Sequence, residues 1–184
     1  AFLRQGIAAM SCDLLPAEGG TPHYHGNVED LLIPGVWDLI IMHPDCTALC
    51  NAGNRHYGEG KEYYHKRLEA VEWTGNLWRK CIEICPRVCF ENPAGVLPAL
   101  AHLPDPQFVQ PYHYGHREQK RTGLYLHGLP RLKPTDIVYE EMMLRPRHLR
   151  EAVFYMGPSA DRWKLRATTY WGIAQAMALQ WSKL

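Results

Sequence analysis

Cys46, Glu91, Asp13 and the basic stretch ending at Arg121 are the residues of this chain whose types and settings could do chemistry. A thiol becomes a nucleophile when a positive group or a helix N-terminus lowers its pKa, and the turn at Pro44-Asp45-Cys46 could open such a helix. A free cysteine is otherwise most often a small buried hydrophobe, and that reading of Cys46 stands beside the first. Glu91 directly follows the apolar run Val88-Cys89-Phe90, where a carboxylate is costly unless it is paired or used. It could equally serve as an N-terminal cap for a helix over Gly95 to Ala101. Asp13, at the tip of a strand, could accept hydrogen bonds from two ribose hydroxyls or be a surface turn carboxylate. His116-Arg117-Glu118-Gln119-Lys120-Arg121-Thr122 could hold a phosphate or a base edge, or be a solvated hairpin tip.

These residues need elements that hold them. Leu39 to Met42 is short, β-rich and uncharged, bounded by Pro34-Gly35 and Pro44, and suits a parallel strand buried on both faces. Ligands in open α/β sheets collect beyond the carboxyl ends of such strands, which is where Cys46 falls. Glu62 to Cys85 places Leu68, Val71, Leu77, Trp78, Cys81 and Ile84 at helical spacing, with Gly75 as a point of irregularity. Arg87 to Phe90 reads as the next buried strand. Ile7 to Cys12 and His23 to His25 read as strands, and Gly26 to Asp30 as a strand end entering a helical turn. Asn51 to Gly60, rich in Gly and Asn, reads as a long loop and a candidate lid. Phe108 to Tyr112 and Gly123 to His127 read as strands around the basic turn. Between Arg131 and Asp161 only Tyr139 to Leu144 is helical in pattern, and Arg162 to Trp181 reads as one amphipathic helix with Ile173, Ala174, Met177 and Trp181 on one side.

The 184 residues suit a single domain, residues 1–184, with 46% apolar and 21% charged residues. A net charge of +1 does not announce a nucleic-acid binder, although a basic face can hide in a balanced total. No apolar stretch is long enough to span a membrane, and no signal-peptide pattern opens the chain, so the expected location is cytoplasmic. Cys81, Cys85 and Cys89 recur every fourth residue but fit no common zinc spacing, so no metal is expected and the thiols are read as reduced.

Taken in order, a strand ending in Asp13, a strand ending in Gly26-Asn27-Val28, Asp38-Leu39-Ile40-Ile41-Met42-His43-Pro44-Asp45-Cys46, Phe90-Glu91-Asn92-Pro93, and Gly115 to Arg121 with a Gln-x-Arg before a strand resemble a cytosine-5 DNA methyltransferase. The likeness is to the compact phage and prophage type, and Arg162-Trp163-Lys164 with Thr168 to Ala178 resembles the same group. It implies an α/β, Rossmann-like methyltransferase sheet flanked by helices. Because the chain opens at Ala1-Phe2-Leu3-Arg4, inside the helix that follows the family's first strand and Gly-rich turn, the sheet is expected to lack that strand.

The resemblance implies roles residue by residue. Cys46 would add to carbon 6 of cytosine, Glu91 would share a proton near ring nitrogen 3, and Arg121 would help hold the flipped base. S-adenosylmethionine would lie along Asp13, Asn27, Val28, His43, Pro44, Thr168, Thr169 and Gly172. DNA would meet Gln119, Lys120, Arg145 and Arg147, in a bacterial or phage-infected cell, and a homo-oligomer could supply the missing strand. Asp45 replaces the family's second proline, Asn27 stands where an acid is common, Gly123 replaces a second arginine, and no large target-recognition domain fits between Pro130 and Arg162. Two other functions stay open: a relative that binds DNA or protein without turnover, and methylation of a free pyrimidine nucleotide.

Overall fold

A computed structural model describes residues 1–183. They form a mixed α/β protein with a small sheet flanked by helices. The chain divides into two compact units. One, the sheet unit, holds Ala9–Gln107 and Gly123–Pro130; the other is built from Ala1–Ala8, Phe108–Thr122 and the chain from Arg131 onward.

The sheet unit begins with β1 (Ser11–Asp13) and β2 (His23–His25), paired in parallel with Asp13 opposite His25. β1 is shorter than the apolar run from Ile7 suggests. Asn27 then caps a single 3-10 turn, Val28–Leu31, by accepting the Glu29 N–H at 3.0 Å. β3 (Ile40–Met42) pairs in parallel with β4 (Val88–Pro93), Met42 lying opposite Phe90. Ile40 is buried while Ile41 and Met42 are only half-buried, so β3 is less enclosed than its composition suggests. β1 and β2 form a sheet of their own, and β3 and β4 lie in a second one in which β6 (Thr122–His127) is the next neighbour of β4; β5 (Gln107–Val109) falls where the chain leaves the sheet unit.

The stretch with loop composition after Cys50 is not structureless. It contains a 3-10 turn, Asn51–Gly53, and a one-turn helix, α1 (Asn54–Tyr57), whose short length leaves no periodicity to read. α2 (Tyr64–Ile84) runs unbroken through Gly75 and buries Val71, Thr74, Leu77, Trp78 and Cys81, at helical spacing. Leu68, expected on that stripe, is exposed, and Arg67 takes the buried position beside it. The helix stops at Cys85 because Pro86 follows, and a residue before proline is pushed out of the helical region; Cys85 has φ −135° and ψ 130°. Trp78 packs edge-on against Phe90 of β4, ring centroids 5.1 Å apart, which fastens helix to strand. α3 (Leu97–Leu100) closes the β4 connection.

The second unit carries the short helices α4 (Tyr139–Met143), α5 (Arg147–Arg150) and α6 (Ala152–Tyr155), of which only α4 is legible as a pattern. The single closing helix expected from Arg162 to Trp181 is instead two, α7 (Arg162–Ala167) and α8 (Trp171–Trp181). The physical reason lies at Thr168-Thr169, β-branched residues that weaken a helix. Lys120 Nζ also donates to the carbonyls of Arg166 at 2.8 Å and Thr168 at 3.2 Å, giving the α7 end partners outside the helix. On α8, Ile173, Met177 and Trp181 are buried as expected and Ala174 is half-buried. The 3-10 turn Phe2–Gln5 packs on α8, with the Arg4 guanidinium 4.5 Å from the Trp171 ring centre.

Candidate active site

The parallel register of β3 and β4 runs on past their last ladder pair and sets the site. Beyond Met42 and Phe90 come His43 and Glu91, and His43 Nδ1 lies 3.1 Å from Glu91 Oε2. Next come Pro44 and Asn92, where Asn92 Nδ2 donates to the Pro44 carbonyl at 2.9 Å. Asn92 is 1% exposed, so this bond is made in a dry setting where it fixes the backbone entering the cysteine turn. Glu91 is therefore a strand residue facing His43, not the cap of a helix; α3 starts six residues later with Val96 at its N-cap.

Cys46 sits on a closed turn. Its carbonyl accepts the N–H groups of Leu49 at 3.1 Å and Cys50 at 2.9 Å. The turn is stitched to the segment after β4 by Asn51 N–H to Ala94 O at 2.9 Å and Val96 N–H to Leu49 O at 3.0 Å, around a Cys50–Gly95 bridge. Gly95 is needed at that crossing: a Cβ there would meet the Leu49 carbonyl oxygen at 2.0 Å. Gly95→Ala is expected to cost about 3 kcal/mol or more, because backbone must move on both sides of the bridge. A urea denaturation midpoint unchanged from the parent would show that the crossing is looser than this.

Arg67 supports the same turn from α2. Its side chain is 4% exposed, with Nε donating to Ala48 O at 2.7 Å and Nη2 to Cys50 O at 3.3 Å. A buried guanidinium binding two carbonyls of one turn holds that turn at a set distance from the helix. Nothing in the sequence singled it out except that a cation falls on an otherwise apolar helix stripe.

The electrostatics at Cys46 oppose an easily formed thiolate. Its thiol is pushed well up, chiefly by the hydrogen bond it shares with the Cys50 sulfur, then by burial, then by the Cys50, Asp45 and Glu91 charges. Asp45 itself is turned toward Thr47, with Oδ1 accepting its N–H at 2.9 Å and its hydroxyl at 2.7 Å. Cys50, absent from the sequence reading, is the favoured thiolate. Its pKa falls to about 6, first because Cys46 donates to it, and then because the amides of Gly53 and Ala52 favour negative charge at the start of their 3-10 turn, without a closed cap hydrogen bond. The i, i+4 spacing of Cys46 and Cys50 was the available signal.

This fixes a pH dependence. A thiolate alkylates and a thiol does not, so the rate at Cys50 is low below about pH 6 and rises through it, against 9.0 for an unperturbed cysteine. Iodoacetamide labelling across pH is expected to show that midpoint. In Cys46→Ala the main cause is removed and the midpoint moves upward. An unshifted midpoint near 9 in the parent would overturn the assignment.

The remaining sequence candidates fall as follows. In the sheet unit, Asp13 ends β1 with Oδ1 accepting the Leu15 N–H at 2.9 Å, and Val28 packs on the apolar core. In the second unit, Gln119 N–H donates to Arg150 O at 2.6 Å, Lys120 Nζ is held by the α7 carbonyls, and the Arg121 guanidinium lies over the Phe108 ring at 3.7 Å. Arg145 Nη1 donates to Arg117 O at 2.9 Å and Arg147 pairs with Glu151 at 3.0 Å. The Thr168 hydroxyl donates to Lys164 O at 3.1 Å; Thr169 is half-buried. Gly172 donates its N–H to His116 Nε2 at 2.9 Å, and a Cβ on it would strike the Tyr114 carbonyl at 1.9 Å. The chain thus gathers Cys46, Cys50, His43 and Glu91, while Gln119, Lys120, Arg121, Arg145, Arg147, Thr168, Thr169 and Gly172 belong to the other unit.

For the expected nucleoside cofactor, the donor set fits in part. Asp13 keeps a carboxylate at a strand end, where ribose hydroxyls could meet it. Asn27 and Gly172 are already explained by a cap and by close packing, and so are not evidence of a ligand. Among the described residues no cluster of His, Cys, Asp or Glu could hold a metal ion, and no helix is long and apolar enough to cross a membrane. No protein-family model matches the chain, and no curated protein or solved structure matches it either.

Proposed function

We propose that this protein is a cytosine-5 DNA methyltransferase of Rossmann-like type, using S-adenosylmethionine and acting through a covalent adduct at Cys46. The observation that supports this most is the pairing of a half-buried cysteine turn with a carboxylate at the ends of adjacent parallel strands, locked by the Asn92 to Pro44 bond. The Cys46 sulfur adds to carbon 6 of the cytosine while its proton passes to Cys50. Electrons from the C5–C6 bond move into the ring toward nitrogen 3, where Glu91, oriented by His43, shares a proton and spreads the charge. S-adenosylmethionine would supply the methyl group to carbon 5 of the adduct; water then takes the carbon 5 proton, the Cys46 thiolate is expelled and regains its proton from Cys50, and the ring is restored. Gln119, Lys120, Arg121, Arg145 and Arg147, all in the other unit, carry the proposed contacts to the DNA backbone.

A DNA-binding relative without turnover is the second reading, and one feature favours it: Asp45 and Glu91 set negative charge against a thiolate at Cys46, whereas the amides of Ala52 and Gly53 favour one at Cys50. The deciding experiment supplies labelled S-adenosylmethionine and mixed-sequence DNA, digests the DNA to nucleosides and weighs them. 5-Methyl-2′-deoxycytidine among the products carries the first reading. Salt-dependent DNA binding without product, from folded protein, carries the second.

A further inference from the structure

The chain contains two Cys-x-x-x-Cys pairs with the same backbone link, and they differ in everything else. Cys50 N–H donates to Cys46 O at 2.9 Å, and Cys85 N–H donates to Cys81 O at 3.0 Å. One closed turn separates the partners in each pair, which puts their Cα atoms about 6 Å apart, inside the span a disulfide bridges. Cys81 and Cys85 are 0% and 2% exposed, and the Cys85 thiol is spent on the Arg87 carbonyl at 3.2 Å. Cys46 and Cys50 are both half-buried, their sulfurs share a hydrogen bond, and Cys50 opens a 3-10 turn whose amides favour negative charge. One pair is a fragment of the core. The other is reachable, close and polarised.

We propose that Cys46 and Cys50 form a reversible dithiol–disulfide pair that takes up oxidising equivalents from hydrogen peroxide or a small organic hydroperoxide. The Cys50 thiolate attacks one peroxide oxygen; the O–O bond breaks, hydroxide (or alkoxide) leaves, and Cys50 becomes a sulfenic acid. The Cys46 sulfur, already in contact, displaces the hydroxyl from Cys50 and forms the S–S bond, and its proton leaves with that hydroxyl as water. For hydrogen peroxide the sum is two thiols and one peroxide giving one disulfide and two waters. The sulfurs lose two electrons and the peroxide oxygens gain them. A dithiol such as dithiothreitol reverses it by exchange.

The neighbours suit the assignment of roles. Asp45 and Glu91 add negative charge on the Cys46 side, so Cys46 is the poorer first nucleophile, while the amides of Ala52 and Gly53 stand on the Cys50 side. The second step needs no approach of distant parts, because Arg67 and the Gly95 crossing already hold the turn closed. The consequence for activity rests on the methyltransferase reading: a disulfide removes the Cys46 nucleophile, so oxidation would silence transfer until a thiol restores it.

The test uses the intact chain and does not require activity. The protein is exposed to a small excess of hydrogen peroxide, remaining thiols are blocked with N-ethylmaleimide, and the chain is cut before aspartate and after arginine. Those cuts isolate residues 45–55, Asp45 to Arg55, which hold Cys46 and Cys50 and no other cysteine. The expected result is loss of two mass units and of both blocking groups on that peptide, roughly ten-fold faster than any loss of labelling at Cys81, Cys85 or Cys89. Cys46→Ser should instead accumulate a sulfenic acid at Cys50 that dimedone captures, and Cys50→Ser should oxidise slowly at Cys46. Far-ultraviolet circular dichroism confirms that each variant is folded. Oxidation of the Cys81–Cys85 pair first, or a Cys50 that runs on to sulfinic acid while Cys46 stays open to maleimide, would overturn the proposal. A disulfide without methyl transfer in either redox state would leave the pair standing and remove the enzymatic reading; transfer without a disulfide would do the reverse.

Discussion

Cys46→Ser is expected to lower methyl transfer to cytosine by about three orders of magnitude or more, with little change in stability. Serine keeps the size of the side chain and the turn that binds it, since the turn is made by the Cys46 carbonyl with the Leu49 and Cys50 amides and by the Asn92 bond to Pro44. What is lost is the soft nucleophile. A hydroxyl is far more weakly acidic than a thiol, and a neighbouring thiolate at Cys50 is too weak a base to ionise it. The measurement is transfer of label to DNA alongside a thermal unfolding scan. Transfer within ten-fold of the parent would remove Cys46 from the nucleophile's role, whereas a fall accompanied by unfolding would be answered by Cys46→Ala, which keeps the backbone bonds.

Glu91→Gln is expected to lower the rate by about two to three orders of magnitude while leaving DNA affinity within a few-fold. The amide keeps the shape and can still bond His43, but it cannot give a proton to ring nitrogen 3 as charge gathers there. The side chain is 16% exposed, so water screens the lost interaction only partly and the loss is felt in the rate. A single-turnover assay separates the two effects, since binding is read from the dependence on DNA concentration and chemistry from the plateau. An unchanged plateau would return Glu91 to a structural role beside His43.

Much of the sheet unit is written in local patterns. Ile40 to Met42 and Val88 to Phe90 are apolar runs stopped by proline or charge, and α2 announces itself because Val71, Leu77, Trp78 and Cys81 recur at helical spacing over about three turns. Cys46 and Glu91 were legible because each follows such a run. The contact between His43 and Glu91 was not, because register between strands 48 residues apart is set by the whole sheet and not by either strand. Cys50 escaped for a related reason: its spacing from Cys46 is a helix-face spacing, yet the residues between carry no helical pattern. Periodicity also carried the closing helix straight across Thr168-Thr169, since hydrophobic positions stay in phase across a short interruption. Lys120, 48 residues away from Thr168, holds that interruption, and such a contact leaves no trace in a local window.

The docking of the 3-10 turn Phe2–Gln5 onto α8 bears on the order of assembly during synthesis. The sheet unit draws most of its residues from one continuous stretch, Ala9–Gln107, and can begin to condense as soon as that stretch and β6 have left the ribosome. The second unit joins the turn Phe2–Gln5 to α8 across about 170 residues of chain, a loop whose closure entropy is met late in folding. Until Trp171 to Trp181 is made, the turn Phe2–Gln5 lacks the helix it packs on. The growing chain therefore carries that turn without its partner while everything between them is made, which makes it a natural point of contact for chaperones.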